Sequence, residues 1–498
     1  MQAAYPFGTM RHIPHFLHRT VPALALLLAA CRLGPDYATP AVGLPATWRG
    51  EAVAGAPVWP SPDWWKGFGA PELDRLIADA QAHNCEIAAA VARVRQADAE
   101  VRIAGAPLLP ALDANAAASW QRANLSHRSR SVGGQSVSRS YIETRTYDLN
   151  LSVSYELDFW GKNRASQEAA EASALFSRFD QQTVALTAVS SVAATWFTAL
   201  AYQDRLAVAE RNLRDALDVL AAIRGRFEAG TASMLDVSQQ ETEVATLRAV
   251  VPGLRNQFEQ EVVALGVLVG RPPEQVTVAA GTLNTLKLPP VAPGLPSALL
   301  LRRPDVAAAE ANLLAANANI RVARANFFPQ IALTGSGGWE SLALTTLTGP
   351  GSLLFTFAAN ATQAVFDNGS RQGTLEQAKG QYDELVADYR KTVVQALSDV
   401  ESALAALRYA TEQERLQRDA VATAQRASDI ARAQLRAGTT DIVTTLQTEN
   451  ALFTALDALT QVRLARFLAL VNLYKALGGG WTKTDVIAPP STIFHGVL

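Results

Sequence analysis

The sequence is poor in the residues on which small stapled folds and metal sites depend. Its 498 residues include two cysteines, six histidines and three methionines. Neither a disulfide framework nor a Cys/His metal motif fits that supply. No sign of charge dominates, with 44 Lys plus Arg against 46 Asp plus Glu and a net charge of -2. This lacks the basic footprint of a nucleic-acid binder, so no nucleic acid is expected as a partner. Charged residues make up 18% and hydrophobic residues 49%, the reverse of a disordered chain. Mean hydropathy is close to zero, which excludes a bundle of many membrane-spanning helices. Aromatics are only 7%, and alanine dominates, as in long helices that pack closely. The length fits several domains or one elongated architecture.

The first thirty residues read as a signal peptide. Arg11 and Arg19 precede the apolar run Val21–Ala30. At about ten residues the run is half of what a transmembrane helix needs. Met1 and Met10 are both candidate initiators. Leu28-Ala29-Ala30-Cys31 resembles a bacterial lipobox, which makes Cys31 the lipidated first residue of the mature chain. An ordinary secretory signal with a chance cysteine is the alternative. Arg32, where an Asp would hold a lipoprotein at the inner membrane, points to outer-membrane sorting. With Cys31 acylated, Cys85 stands alone and is expected as a small packed side chain. His83, His127 and His495 are far apart. No metal ligands, cofactor site or catalytic constellation is expected.

The chain carries an internal duplication. Gly161, Gly230 and Gly270 match Gly369, Gly438 and Gly478, each pair 208 apart. Val101–Ala104 matches Ile320–Ala323, and Pro110 and Trp120 match Pro329 and Trp339, at 219. The difference falls in the Ser/Arg/Gly-rich stretch from Arg122 to Ser140, read as a loop. The expected organisation is a signal peptide (1–30), a lipidated extended segment (31–71), a first repeat (72–271), a Pro-rich linker (272–297), a second repeat (298–480) and a tail (481–498).

Each half reads as helix, strand, loop, strand, long helix, turn, return helix. Leu149, Leu151, Val153, Tyr155 and Leu157 alternate with Asn150, Ser152, Ser154, Glu156 and Asp158. The stretches 112–120, 331–339 and 355–362 also alternate. Period two with one polar face fits a half-buried sheet or a barrel strand between lipid and water. No proline interrupts Gly161–Gly230 or Gly369–Gly438, so each predicts a helix of roughly 100 Å. Leu186, Val189, Ala193, Trp196 and Leu200 recur at 3–4 spacing, and Leu206, Leu213, Leu220 and Phe227 every seven. Return helices are expected near 234–269 and 442–477, and further helix in 72–106 and 298–326. The fold class is mainly α, a long coiled-coil barrel, with four membrane β-strands per chain. Four strands cannot close a barrel, since small barrels begin at about eight, and an open edge in lipid leaves backbone groups unpaired. Several chains must therefore share one. Strands meet helices at Leu108–Pro110, Phe159–Gly161, Phe327–Pro329 and Phe366–Gly369, and the last three supply aromatics for a membrane boundary or for internal packing.

Several motifs resemble TolC-like outer-membrane efflux lipoproteins of the NodT branch. They are Cys31-Arg32-Leu33-Gly34-Pro35-Asp36-Tyr37, Trp64-Trp65-Lys66-Gly67-Phe68, Arg302-Arg303-Pro304-Asp305, Ala325–Pro329 and Val365-Phe366-Asp367-Asn368-Gly369. The resemblance implies a homotrimer whose barrel has about twelve strands. It also implies a periplasmic membrane-fusion adaptor and an inner-membrane pump of the resistance-nodulation-division type as partners. Transport through such a channel is passive, and no residue performs chemistry. Arg226, Gly230, Thr231, Arg436, Gly438 and Thr439 would form the adaptor-docking tips. Asp236 and Asp441 match the family's tip pattern, as gate elements or as capping carboxylates. Gln447 stands where family members carry a gate aspartate. Asn150, Ser152, Ser154, Glu156 and Asp158 would face the lumen. Arg122, Arg128, Arg130, Arg139 and Arg145 would face outside, toward anionic surface lipid or water. A conduit for a protein secretion system and a non-channel periplasmic scaffold are the competing functions. The substrate is not legible.

Overall fold

The computed structural model describes residues 37–49, 58–125, 140–292 and 294–483. Cys31 with the leader, and Arg128, Arg130 and Arg139, lie outside the described residues. A 3₁₀ turn at Trp64–Phe68 precedes α1 (Pro71–His83) and α2 (Cys85–Gly105). The first half continues with β1 (Ala111–Leu125), β2 (Ser140–Leu157), α3 (Lys162–Glu228) and α4 (Met234–Val269). The second half contains α5 (Pro296–Leu299), α6 (Pro304–Ala325), β3 (Gln330–Ser341), β4 (Leu353–Thr362), α7 (Ser370–Ala437) and α8 (Ile442–Ala476). The long helices have 67 and 68 residues and stop where the glycines predicted.

The chain divides into two packing units. One holds Asp98–Ser173 and Leu313–Glu384, with all four strands. Its sheet runs β1-β2-β3-β4 and is antiparallel throughout. The β1–β2 hairpin is longer than expected. Arg122–Leu125 pair as strand with Ser140–Glu143, although composition reads Arg122 to Ser140 as loop. Serine and arginine are neutral about strand once a partner holds the register, which single-sequence patterning cannot see. Both long helices start on one device. The Asp158 carboxylate accepts from the backbone N–H of Asn163 and of Arg164, each at 3.0 Å. The Asp367 carboxylate accepts from those of Gly369 and Arg371 and from Arg371 Nε at 2.6 Å. Each satisfies first-turn donors that have no helical partner. The junction aromatics divide between the two expected roles. Trp160 stacks on Phe328 at 4.7 Å and donates to the Pro329 carbonyl, whereas Val365 and Phe366 are almost fully exposed.

The second unit holds Thr39–Ala97, Ala174–Asn312 and the chain from Leu385 onward. Its largest core gathers Trp64 and Phe68 of the 3₁₀ turn with Phe197, Leu265, Phe467 and Tyr474. Trp64 stacks on Tyr474 at 4.9 Å, and Phe68 is fully buried. Burial of one such ring contributes about 2 kcal/mol. The motif Arg302–Asp305 is a clamp here. Buried Arg303 binds Asp305 through two nitrogens (2.9 and 2.6 Å), Asp399 at 3.0 Å and the Ala476 carbonyl at 3.2 Å. The duplication recurs in close packing. A Cβ on Gly270 would sit 2.1 Å from the His83 carbonyl oxygen, and one on Gly478 would sit 1.8 Å from that of Arg302.

Three expectations change. The stretch 72–106 is broken at Asn84, whose buried side chain accepts from Glu86 and Ile87 and donates to the Leu268 carbonyl. Cys85 is exposed rather than packed, because Asn84 takes the inward position. The seven-residue series on α3 is buried only in part, with Leu206 and Leu213 half-buried against the core. Ala209, Ala216, Leu220 and Ile223 are buried, whereas Phe227 is 43% exposed.

Candidate functional site

The register sorts the sheet into two chemically distinct faces. On one, Asp113, Asn115, Asp148, Asn150, Ser152, Ser154, Glu156, Thr334, Ser336, Thr356 and Asn360 fall in line. On the other lie Leu112, Trp120, Leu149, Leu151, Val153, Leu333, Trp339, Leu353, Phe355 and Phe357. The apolar face is bare, and Phe357 is 82% exposed. A face of that size and composition, uncovered, requires lipid or protein against it. On the polar face Asn115 donates to Asn150 (3.4 Å) and Ser152 (3.1 Å), and Asn150 donates to Asp148 at 2.6 Å. The two bonds across the strands and the one along β2 orient the amides along the face. Glu156 lies 3.5 Å from Lys162. Asp158 departs from the expectation that it belongs to this row. The strand ends at Leu157, and Asp158 turns to cap α3.

Both helical hairpins turn in the same way. Gly230 and Gly438 have φ 75°, and their N–H groups donate to Phe227 and Leu435 carbonyls three residues back. Thr231 and Thr439 each donate twice, by backbone and hydroxyl, to the carbonyls of Arg226 and Gln434. This six-to-one pattern closes a helix C-terminus with glycine in the left-handed region. Arg226 reaches from α3 to the Leu435 carbonyl at the end of α7 (3.2 Å). Arg436 is exposed. Both arginines line a cavity of about 430 Å³ with Asp215, Asp218, Arg432 and Leu435.

The two aspartates proposed for a gate are caps. Asp236 and Ser233 form a reciprocal capping box. Asp441 accepts from the Thr444 N–H at 2.7 Å. That backbone hydrogen bond, to the charged form, holds the Asp441 carboxyl below its ordinary value. Gln447 is exposed.

Sequence reasoning missed two buried ionic clusters. Arg432 of α7 binds Glu449 of α8 at 2.8 Å and Asp215 of α3 at 2.9 Å. Burial pushes the Glu449 carboxyl upward against the pull of Arg432. Glu414 binds Arg418, Arg463 and Arg466 at 2.5, 3.2 and 2.9 Å. The three guanidiniums hold its carboxyl down although burial opposes them. A signal existed. Glu449 falls in the buried series Ile442, Thr445, Glu449, Leu452, and Glu414 in Val400, Ala403, Ala410, Glu414. A carboxylate on an apolar seam requires a cation beside it.

Comparison with known proteins bears on the family and the fold. The family model described as outer membrane efflux protein matches residues 76–271 and 295–479, one stretch per half. The chain is 38% identical over 457 residues to the pyoverdine export outer membrane protein OpmQ of Pseudomonas aeruginosa, covering 92% of this chain and 95% of that protein. It is 30% identical over 464 residues to the cation efflux system protein CusC of Escherichia coli, covering 92% and 97%. Among solved structures, the outer-membrane channel OprN superposes with a TM-score of 0.82 at 27% identity, covering 91% of this chain and 100% of that one. The open state of the MtrE outer membrane channel of Neisseria gonorrhoeae superposes with a TM-score of 0.80 at 29% identity, covering 90% and 98%. The chain belongs to the outer membrane efflux protein family, and the fold built above is that of its channels.

Proposed function

We propose that three copies of this chain close one barrel in the outer membrane and passively conduct small molecules delivered on the periplasmic side. The observation that carries this reading is the two-faced, open sheet. Among the described residues its edges β1 and β4 have no partner strand, and backbone edges in lipid cost several kcal/mol per unpaired group. Strand β4 runs antiparallel to β3 and so to β1 in direction. The β4 of one copy therefore continues the alternation into the β1 of the next. The apolar face then meets lipid, and Asn150, Ser152, Ser154 and Glu156 line water.

The supply side follows from the hairpin tips. In this reading a periplasmic membrane-fusion adaptor docks on Arg226, Gly230, Thr231, Arg436, Gly438 and Thr439, and an inner-membrane pump of the resistance-nodulation-division type provides the energy. Cys31 carries the lipid anchor. The channel is not an enzyme, and it needs neither cofactor nor metal. The relatives' own names refer to pyoverdine, toluene and cations, so no single cargo is assigned to this chain.

Reconstitution in a planar bilayer tests the reading. Purified protein should give discrete conductance steps and migrate as three chains after cross-linking. A folded protein that binds membranes without conducting would favour the periplasmic scaffold. The docking assignment has its own test. Gly438→Trp should abolish export in cells while assembly persists, and normal export in that variant would remove the tips from the docking surface.

A further inference from the structure

The β1–β2 hairpin outlasts the rest of the sheet. β3 pairs with β2 only from Tyr147 to Leu157, whereas β1 follows β2 up to Ser140. The rungs Trp120–Arg145, Arg122–Glu143 and Asn124–Tyr141 therefore stand beyond β3. Their order along the apolar face is chemically graded. Leu149 sits opposite Trp339, Tyr147 comes one rung further, then Trp120 with Arg145, then Arg122. Apolar, aromatic and guanidinium groups follow one another as they do where hydrocarbon gives way to headgroups. The spacing agrees. From Tyr147 to Leu157 β2 rises about 33 Å, which at a tilt of about 45° spans roughly 24 Å of bilayer.

Among the described residues, charge beyond the aromatic level is confined to this face. Arg122, Glu143 and Arg145 share it, while the opposite face there carries Gln121, Thr144 and Thr146. The Arg122 guanidinium lies 3.6 Å from the Tyr141 ring centroid, which holds it along the outward surface. Its ion pair with Glu143 is long, at 3.7 Å, and exposed. Arg145 is exposed and has no hydrogen-bond or ion-pair partner among the described residues. A guanidinium at this depth, one rung above an aromatic girdle, matches the phosphate plane of a leaflet in position, sign and geometry.

We infer that the outward face of this hairpin binds the phosphates of anionic glycolipid headgroups in the outer leaflet, with Arg145 and Arg122 as the contacting groups. The inference rests on the membrane reading of the sheet. It adds a lipid class and a named pair of residues.

The test uses the full-length protein in neutral detergent, titrated with bisphosphorylated lipid A and read by native mass spectrometry. Arg122→Gln with Arg145→Gln should cut retained lipid A roughly tenfold, and dephosphorylated lipid A should bind the native protein as weakly. Arg145→Lys should retain part of the binding, since charge survives without the bidentate fork. Equal retention by the double Gln variant, or equal retention of dephosphorylated lipid, overturns the inference. So does displacement of lipid A by equimolar inorganic phosphate, which would mark a free-anion site instead. Vesicle flotation separates the two levels. Native protein that floats with no vesicle of any composition defeats the membrane reading itself. Native protein that floats equally with phosphatidylcholine and lipid A vesicles defeats only the headgroup site.

Discussion

Arg432 shows how much a single side chain holds near the hairpin tips. It neutralises Glu449, whose side chain is 6% exposed, and Asp215 on another helix. Arg432→Ala strands both carboxylates, and the expected loss is about 3 kcal/mol in urea denaturation. Glu449→Gln keeps a hydrogen-bond acceptor for Arg432 and should cost less. The two tip carboxylates respond to pH in opposite senses. Asp441 is held below its ordinary value by the Thr444 N–H. Its contribution is present above the unfolded pKa and is lost as pH falls through the lower, folded one. Glu449 is pushed above its ordinary value by burial. Its contribution is present below the unfolded pKa and fades as pH rises through the folded one. Amide hydrogen exchange at the tips, followed across pH, should show the acid-side loss vanish in Asp441→Asn and the opposite slope vanish in Glu449→Gln. An unchanged profile in either variant would refute that assignment.

The elements were legible wherever backbone chemistry punctuates the chain. Gly161, Gly230, Gly369 and Gly438 are left-handed residues, and the long helices run between them because no proline intervenes. The polar and apolar rows of β2 were legible because period two assigns faces directly. What stayed hidden depends on distant partners. Asn84 breaks the segment before β1 because Leu268, far along the chain, offers it a carbonyl. Asp158 looked like a lumen residue, and Asp236 stood open between gate and cap, because a carboxylate's helix-capping geometry is set by a few backbone angles. Gly270 offers an element-scale prediction. Gly270→Ala combines a left-handed φ of 70° with a 2.1 Å approach to a carbonyl. Gly230→Ala has a φ of 75° and nothing within 4 Å. The first should lose about 3 kcal/mol or more and the second about 1 kcal/mol, measured as the shift in unfolding free energy. Equal losses would show that backbone strain alone, without the contact to α1, explains the glycine at 270.

At the scale of the whole molecule, the missing partner strand decides everything else. Cysteines placed along β1 and β4, in a Cys85→Ser background, should cross-link between copies and give a ladder ending at three chains. Bonds within one chain, or a ladder running past three, would rule out the closed ring. The open sheet also has a consequence in mass action. On the three-copy reading proposed above, a chain whose two edges are satisfied only by two sisters is not inserted one at a time. Membrane entry then follows the cube of the free chain concentration in the dilute limit. Where most free chains are degraded before they assemble, halving synthesis would lower the number of finished channels roughly eightfold, so transport capacity should respond to gene dosage more steeply than linearly.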